Sequence, residues 1–209
     1  MPESVAAVQP RDAERSREAI LEAATTLFSQ HGFEATALSQ VAEAAGVARA
    51  TPSYFFGSKA GLWQAVLDRQ NRAVGQVVPR ALARLGPQPE LPELISALVD
   101  SVFEFFGEYP AFIRLVGWSQ LQGNTMINEL PSQWEAIGAT MDVVSGLLSR
   151  RGAAPGDARQ TVMSVMGLCS AHILLGNTLG VPLGLDVNAP GFVEARKAHL
   201  TGLLIAALG

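Results

Sequence analysis

The chain is poor in reactive and in charged residues. Its one cysteine, Cys169, excludes an internal disulfide framework and suits a reducing interior. With three histidines in all, soft metal ligands are scarce. Cys169 and His172, three apart, supply two ligands where a structural zinc takes four, so no metal is expected. No Gly-rich phosphate loop and no strand-linked nucleophile motif is present, which argues against hydrolases and transferases; neither an enzyme nor a cofactor is expected. Charged residues make up 16% of 209, below the usual quarter, and the net charge is −4, without the basic excess that advertises nucleic acid. A secretion signal's basic start and apolar run are missing too. Residues 1–13 are expected to form a loose tail on a cytoplasmic protein.

Long uncharged stretches are also few. Gln160 to Leu185 is one, but it contains Ser164, Ser170, His172, Asn177 and Thr178 and is broken by Gly180 and Pro182. A spanning helix wants about 20 predominantly apolar residues, so this segment reads as a buried helix and no membrane partner is expected.

What is abundant is apolar residues, 48% of the chain, at helical rather than alternating spacing. An all-α fold is expected. Ile20, Ala23, Ala24, Leu27 and Phe28 share one helical face, and Gly32 lies beyond. Leu38, Val41, Ala42 and Ala45 repeat that face over two turns, with Thr36 as candidate N-cap and Gly46 as stop. Thr51-Pro52 then reads as a cap and first helical residue, the position where proline forfeits no hydrogen bond. The helix it opens is short and holds Tyr54, Phe55 and Phe56 in succession. Phe55 and Phe56 are expected to pack inward and Tyr54 to point out. Ser58 restarts a helix through Leu62 and Val66. Two short helices joined by a Gly-containing turn form the skeleton of a helix-turn-helix.

These residues, "ILEAATTLFSQHGFEAT" followed by "LSQVAEAAGVARATPSYFFGSKAGL", resemble the DNA-binding region of the tetracycline-repressor (TetR) family from Arg17 to Leu67. The chain departs from the family pattern at Ala48, Ala50, Pro52 and Ser53, where Ser, Gly, Leu or Ile, and Tyr are usual. The resemblance implies a helix-turn-helix DNA-binding domain over residues 14–60, an effector-binding and dimerising helical domain over 61–209, and ligand-gated repression at a palindromic operator.

In a helix-turn-helix the second helix offers its N-terminal residues to base edges in the major groove. Here those are Arg49, Ala50, Thr51 and Ser53, with Arg49 suited to guanine O6 and N7. Thr36, Tyr54 and Lys59 would hold phosphates. On the blander reading Arg49 is a solvated turn charge, Thr51 a cap and Tyr54 partly core. Residues 1–75 carry seven Lys or Arg against eight Asp or Glu, so few phosphates would be neutralised per subunit.

Beyond the proline-rich loop at Gly86 to Pro92 the chain reads as a helical bundle. Phe103, Phe106, Trp118, Met126, Trp134, Met141, Met166 and His172 are candidates to line an effector pocket, although such residues at helical spacing also make ordinary core. The resemblance implies a two-fold interface on the last two helices, for which Val162, Val165, Leu168, Ile173, Leu200, Leu203 and Leu204 are the candidates. The expected partners are a double-stranded DNA operator, a small hydrophobic effector and a second copy of the chain. A helical carrier or adaptor that binds no DNA is the alternative. The interrupted segment from Gly46 to Lys59 separates the two, because a carrier has no reason to restart helices at Thr51 and Ser58.

Overall fold

A computed structural model describes residues 10–123, 126–149 and 157–208. The regular structure among them is helical: α1 (Pro10–Ala35), α2 (Leu38–Ala44), α3 (Thr51–Phe56), α4 (Lys59–Val74), α5 (Val77–Ala83), α6 (Leu91–Glu108), α7 (Phe112–Leu121), a 3₁₀ turn (Met126–Glu129), α8 (Pro131–Ser149), α9 (Asp157–Leu179) and α10 (Phe192–Leu208). The all-α expectation holds.

The described residues pack as two compact units. The first comprises 10–69, 114–123 and 126–127; the second comprises 70–113, 128–149 and 157–208. The domain boundary expected after residue 60 therefore lies within α4, after Arg69. The reason is burial: Leu62, Trp63, Val66 and Leu67 are all sealed from solvent. Trp63 stands edge-on to Phe28 at 5.0 Å and to Phe33 at 5.7 Å, so the start of α4 completes the first unit's core.

In the first unit α1 buries Ile20, Leu21, Ala24 and Phe28, the face anticipated from spacing. The helix breaks at Gly32, whose φ of 76° lies in the left-handed region. A side chain there would also strike the Trp118 ring. Trp118 is fixed in place by its indole N–H, which donates to the Ser29 carbonyl at 3.1 Å. Beside it the Gln122 side-chain oxygen accepts from the Phe33 amide at 3.3 Å.

The second unit is organised around α6, which buries Leu94, Ile95, Val99, Phe103, Phe105 and Phe106 and is flanked by α5 and α10, while α8 packs on α9. Ion pairs partly open to solvent bridge the flanks: Arg80 to Glu108 at 2.7 Å and Arg84 to Glu104 at 2.6 Å from α5, and Lys197 to Asp100 at 2.8 Å from α10. Solvent-screened pairs add little, so the flanks are held mainly by apolar burial. Helix α5 was not anticipated from the sequence. Its Pro79 reads as a breaker, yet it sits in the first turn, where the amide has no intrahelical partner to lose.

Gly32→Ala is expected to lose about 1–3 kcal/mol of stability, because the methyl group must displace Trp118 and hold a left-handed φ. A lowered urea midpoint, followed by tryptophan fluorescence, is the check.

Candidate functional site

Helix α2 is closed by a turn that fixes its exit direction. Gly46 adopts φ 65°; its amide donates to the Glu43 carbonyl at 3.1 Å, and the Val47 amide reaches back to the Ala42 carbonyl at 3.0 Å. This is the paired pattern of a Schellman stop. The chain then enters α3, whose cap position is Ala50 rather than Thr51, with Pro52 as the second helical residue. Pro52 is the residue of α3 that is fully buried. Phe55 and Phe56, expected to pack inward, are half-buried, and Pro52 is the more deeply seated anchor. With the compact proline ring inward, Ser53 and Tyr54 turn out, and Tyr54 is 83% exposed. The Arg17 guanidinium covers Phe56, 5.3 Å from its ring centre.

The other end of α3 is equally constrained. Gly57 holds φ 72°, and Ser58 caps α4, its hydroxyl oxygen accepting from the Gly61 amide at 3.0 Å. Gly61 admits no side chain, since a Cβ there would overlap the Phe56 carbonyl. Spacing alone did not single out this glycine as essential.

The anticipated DNA contacts divide into two groups. Arg49, Ala50, Ser53 and Tyr54 are exposed and Thr51 is half-buried, all at the turn or on the first turns of α3. Thr36 and Lys59 are occupied inside the unit. Thr36 is 1% exposed, and its hydroxyl donates to the Gly32 carbonyl at 2.8 Å. It neither caps α2 nor reaches a phosphate. Ala37 is the cap residue, and its amide is satisfied by the Gln40 side chain at 2.8 Å. Gln40, three residues after the cap, was the overlooked signal. The Lys59 ammonium donates to the Glu34 carbonyl at 3.0 Å and lies 4.5 Å from the Phe33 ring centre. Through one of its three donors it ties the α4 corner to the end of α1.

The second unit encloses a cavity of about 120 Å³ lined by α4–α6 and α8–α10. Of the anticipated pocket residues, Phe106 and Met166 line it. Trp118 and Met126 belong to the first unit. Trp134 is 66% exposed and donates to the Asn128 carbonyl at 2.8 Å. From α8 the cavity takes Thr140, Val143 and Val144, and Met141 is not among its walls. Phe103 stacks on His172 at 5.1 Å, and His172 lines a different cleft. Sequence reading missed the wall valines Val74, Val77, Val78, Val99 and Val102, because it weighted aromatic and sulfur side chains.

The anticipated dimer residues are also redistributed. Leu200 and Leu204 are buried within the unit, and Val162 and Val165 line its cavity. Leu168 and Ile173 are half-buried, and Leu203 is exposed. Cys169 is fully buried, and desolvation pushes its thiol up to about 11, so it stays protonated and inert.

Residues 20–66, all within the first unit, match the family described as bacterial regulatory proteins, tetR family. Over those residues the chain carries the DNA-binding region of the TetR family. It is 34% identical over 125 residues to the HTH-type transcriptional regulator RutR of Escherichia coli K12, covering 58% of this chain and 56% of RutR. It is 49% identical over 53 residues to the HTH-type transcriptional repressor ComR of the same strain, 25% of each chain. It thus spans about half the length of RutR and a quarter of ComR. A TetR-like transcriptional regulator from Rhodococcus sp. RHA1 shares the fold with a TM-score of 0.67 at 18% identity, over 100% of this chain and 98% of that one. These TetR relatives are regulators, not enzymes.

Within the TetR unit, stability and surface roles separate by substitution. Thr36→Val is expected to cost about 1 kcal/mol by removing the donor to Gly32, whereas Tyr54→Ala changes stability by less than about 0.5 kcal/mol. Urea titration of both variants is the check.

Proposed function

We propose that the protein is a cytoplasmic, ligand-responsive transcriptional repressor that binds a palindromic operator as a homodimer. The observation that carries this reading is the buried Pro52 beneath an outward α3, which leaves Arg49, Ala50, Ser53 and Tyr54 exposed together. A carrier would gain nothing from glycine-dependent corners at both ends of so short a helix. Arg49 reads a guanine, Thr51 and Ser53 sit against neighbouring bases, and Tyr54 donates its hydroxyl to a phosphate.

A dimer is supported by α9. Met163, Gly167, Leu174 and Thr178 form an exposed stripe at helical spacing, opposite the side that lines the cavity. Leu203 on α10 is also exposed. This stripe replaces Val162, Val165, Leu200 and Leu204 as the proposed interface. Two-fold pairing there would match a two-fold operator.

The effector site is the 120 Å³ cavity. Its walls are apolar apart from Thr140 and Thr161, and among the described residues no charged one lines it. Such a site suits a small neutral apolar molecule, of about benzene size, rather than a salt. Repression is relieved if the effector binds better to a conformer whose recognition helices no longer match the half-site spacing.

Selection of bound duplexes from a random library at fixed salt should return an inverted repeat. Arg49→Ala should then weaken the selected site roughly 5- to 150-fold while leaving non-specific binding nearly unchanged. Recovery of no enriched repeat would overturn the reading. In sedimentation, Met163→Glu with Leu174→Glu should convert dimers to monomers that retain their helical circular dichroism.

A further inference from the structure

A second concavity of about 390 Å³ lies in the second unit, between the C-terminal half of α9, the segment after it and the start of α10. It shares no lining residue with the apolar cavity. Its walls are mostly apolar, including Leu175, Leu179, Leu183 and Phe192, but they also present Arg196, His172 and His199.

Arg196 is the anomaly. It is half-buried, and its one hydrogen bond runs from an amino nitrogen to the Leu168 carbonyl at 3.0 Å. Its Nε is buried without a partner. The other half-buried cations of the second unit, Arg80 and Lys197, each meet a carboxylate, Glu108 at 2.7 Å and Asp100 at 2.8 Å. Among the described residues no carboxylate meets Arg196. A partly desolvated cation without a counter-charge is costly, and an anion entering the cleft removes that cost. His172 is positioned beside it, its ring parallel to Phe103 within 7° and 6.1 Å from Phe192. Burial, and secondarily the Arg196 charge, hold the imidazole below its usual range against the opposing pull of the Cys169 carbonyl. A neutral imidazole adds polar capacity to the cleft without a second charge.

We propose that this cleft is a second small-molecule site that takes an organic monocarboxylate, its carboxylate on Arg196 and its apolar body along Leu175, Leu179 and Leu183. Arg196 is the one arginine or lysine among the described residues lining the cleft, which matches a monoanion better than a phosphate dianion. The volume falls within the range of small-ligand sites. The proposal is independent of DNA binding and of the apolar cavity.

The test is calorimetric titration of the full chain with octanoate, with 1-octanol as the uncharged counterpart and inorganic phosphate as a bare anion. Octanoate is expected to bind at least about tenfold tighter than octanol, and phosphate not at all at the same concentrations. Arg196→Met, which keeps the apolar stem, should weaken octanoate by about tenfold or more and leave octanol unchanged. Ala171→Phe narrows the cleft with Arg196 intact and should weaken octanoate as well; it carries the test if Arg196→Met does not fold by circular dichroism. Absence of octanoate binding, octanol binding as tight as octanoate, phosphate binding as tight as octanoate, or octanoate binding unaffected in either folded variant would each overturn the assignment.

Discussion

A helix of six residues cannot hold itself. Isolated helices shorter than about 12–15 residues are marginal in water, so α3 exists because its surroundings define it. Pro52 pins its inner side, the Gly46 turn sets its entry, and Gly57 with Gly61 sets its exit. Each corner needs a residue with little or no side chain at one place, and each recruits nearby polar groups. Lys59 and Thr36 are recruited in this way: their donors go to main-chain carbonyls at the end of α1. The residues that hold α3 and those left exposed on it are therefore different sets, although they lie within a few positions of one another.

That division bears on charge. The amino-terminal region is close to neutral, with seven basic and eight acidic residues in the first 75. Several of its cations are engaged within the unit: Arg69 pairs with Glu18 at 2.6 Å, Arg17 covers Phe56, and Lys59 serves α1. Under the proposed function such a surface would neutralise few phosphates, giving weak affinity for random duplex and a shallow salt dependence. Discrimination would then fall to base contacts and to the geometry of a two-fold pair, with the rigidity of the α3 corners a condition of specificity.

The helix-turn-helix was legible because its punctuation is local. Gly32, Gly46, Gly57 and Ser58 mark ends by backbone geometry that a sequence displays directly. Side-chain destinations were less legible. Thr36 carries the signature of a cap and Lys59 that of a phosphate ligand, yet a three-dimensional neighbour unseen in local spacing claims each of them. Residues 114–123 join the first unit from far along the chain, and no local pattern announces that Trp118 will pack against Gly32. In the second unit the periodicity located the helices but not their rotation. Val162 and Leu174 look alike in sequence; one lines the cavity and the other faces solvent.

Helix α9 shows why rotation matters most there. By length and composition the stretch Ala158–Leu179 is apolar enough to cross a membrane, and few of its residues are buried within the unit. One side supplies Val162, Val165 and Met166 to the cavity; the other leaves Met163 and Leu174 in solvent. Lipid is a poor cover for that outer side, because Ser164, Asn177 and Thr178 are exposed along it. A second copy of the same helix is a better one. Gly167 permits close approach, and the polar groups of one copy can be met by those of the other across a two-fold axis. The same helix would then join effector and partner through its two faces, so that a ligand shifting its inner face also shifts the pairing.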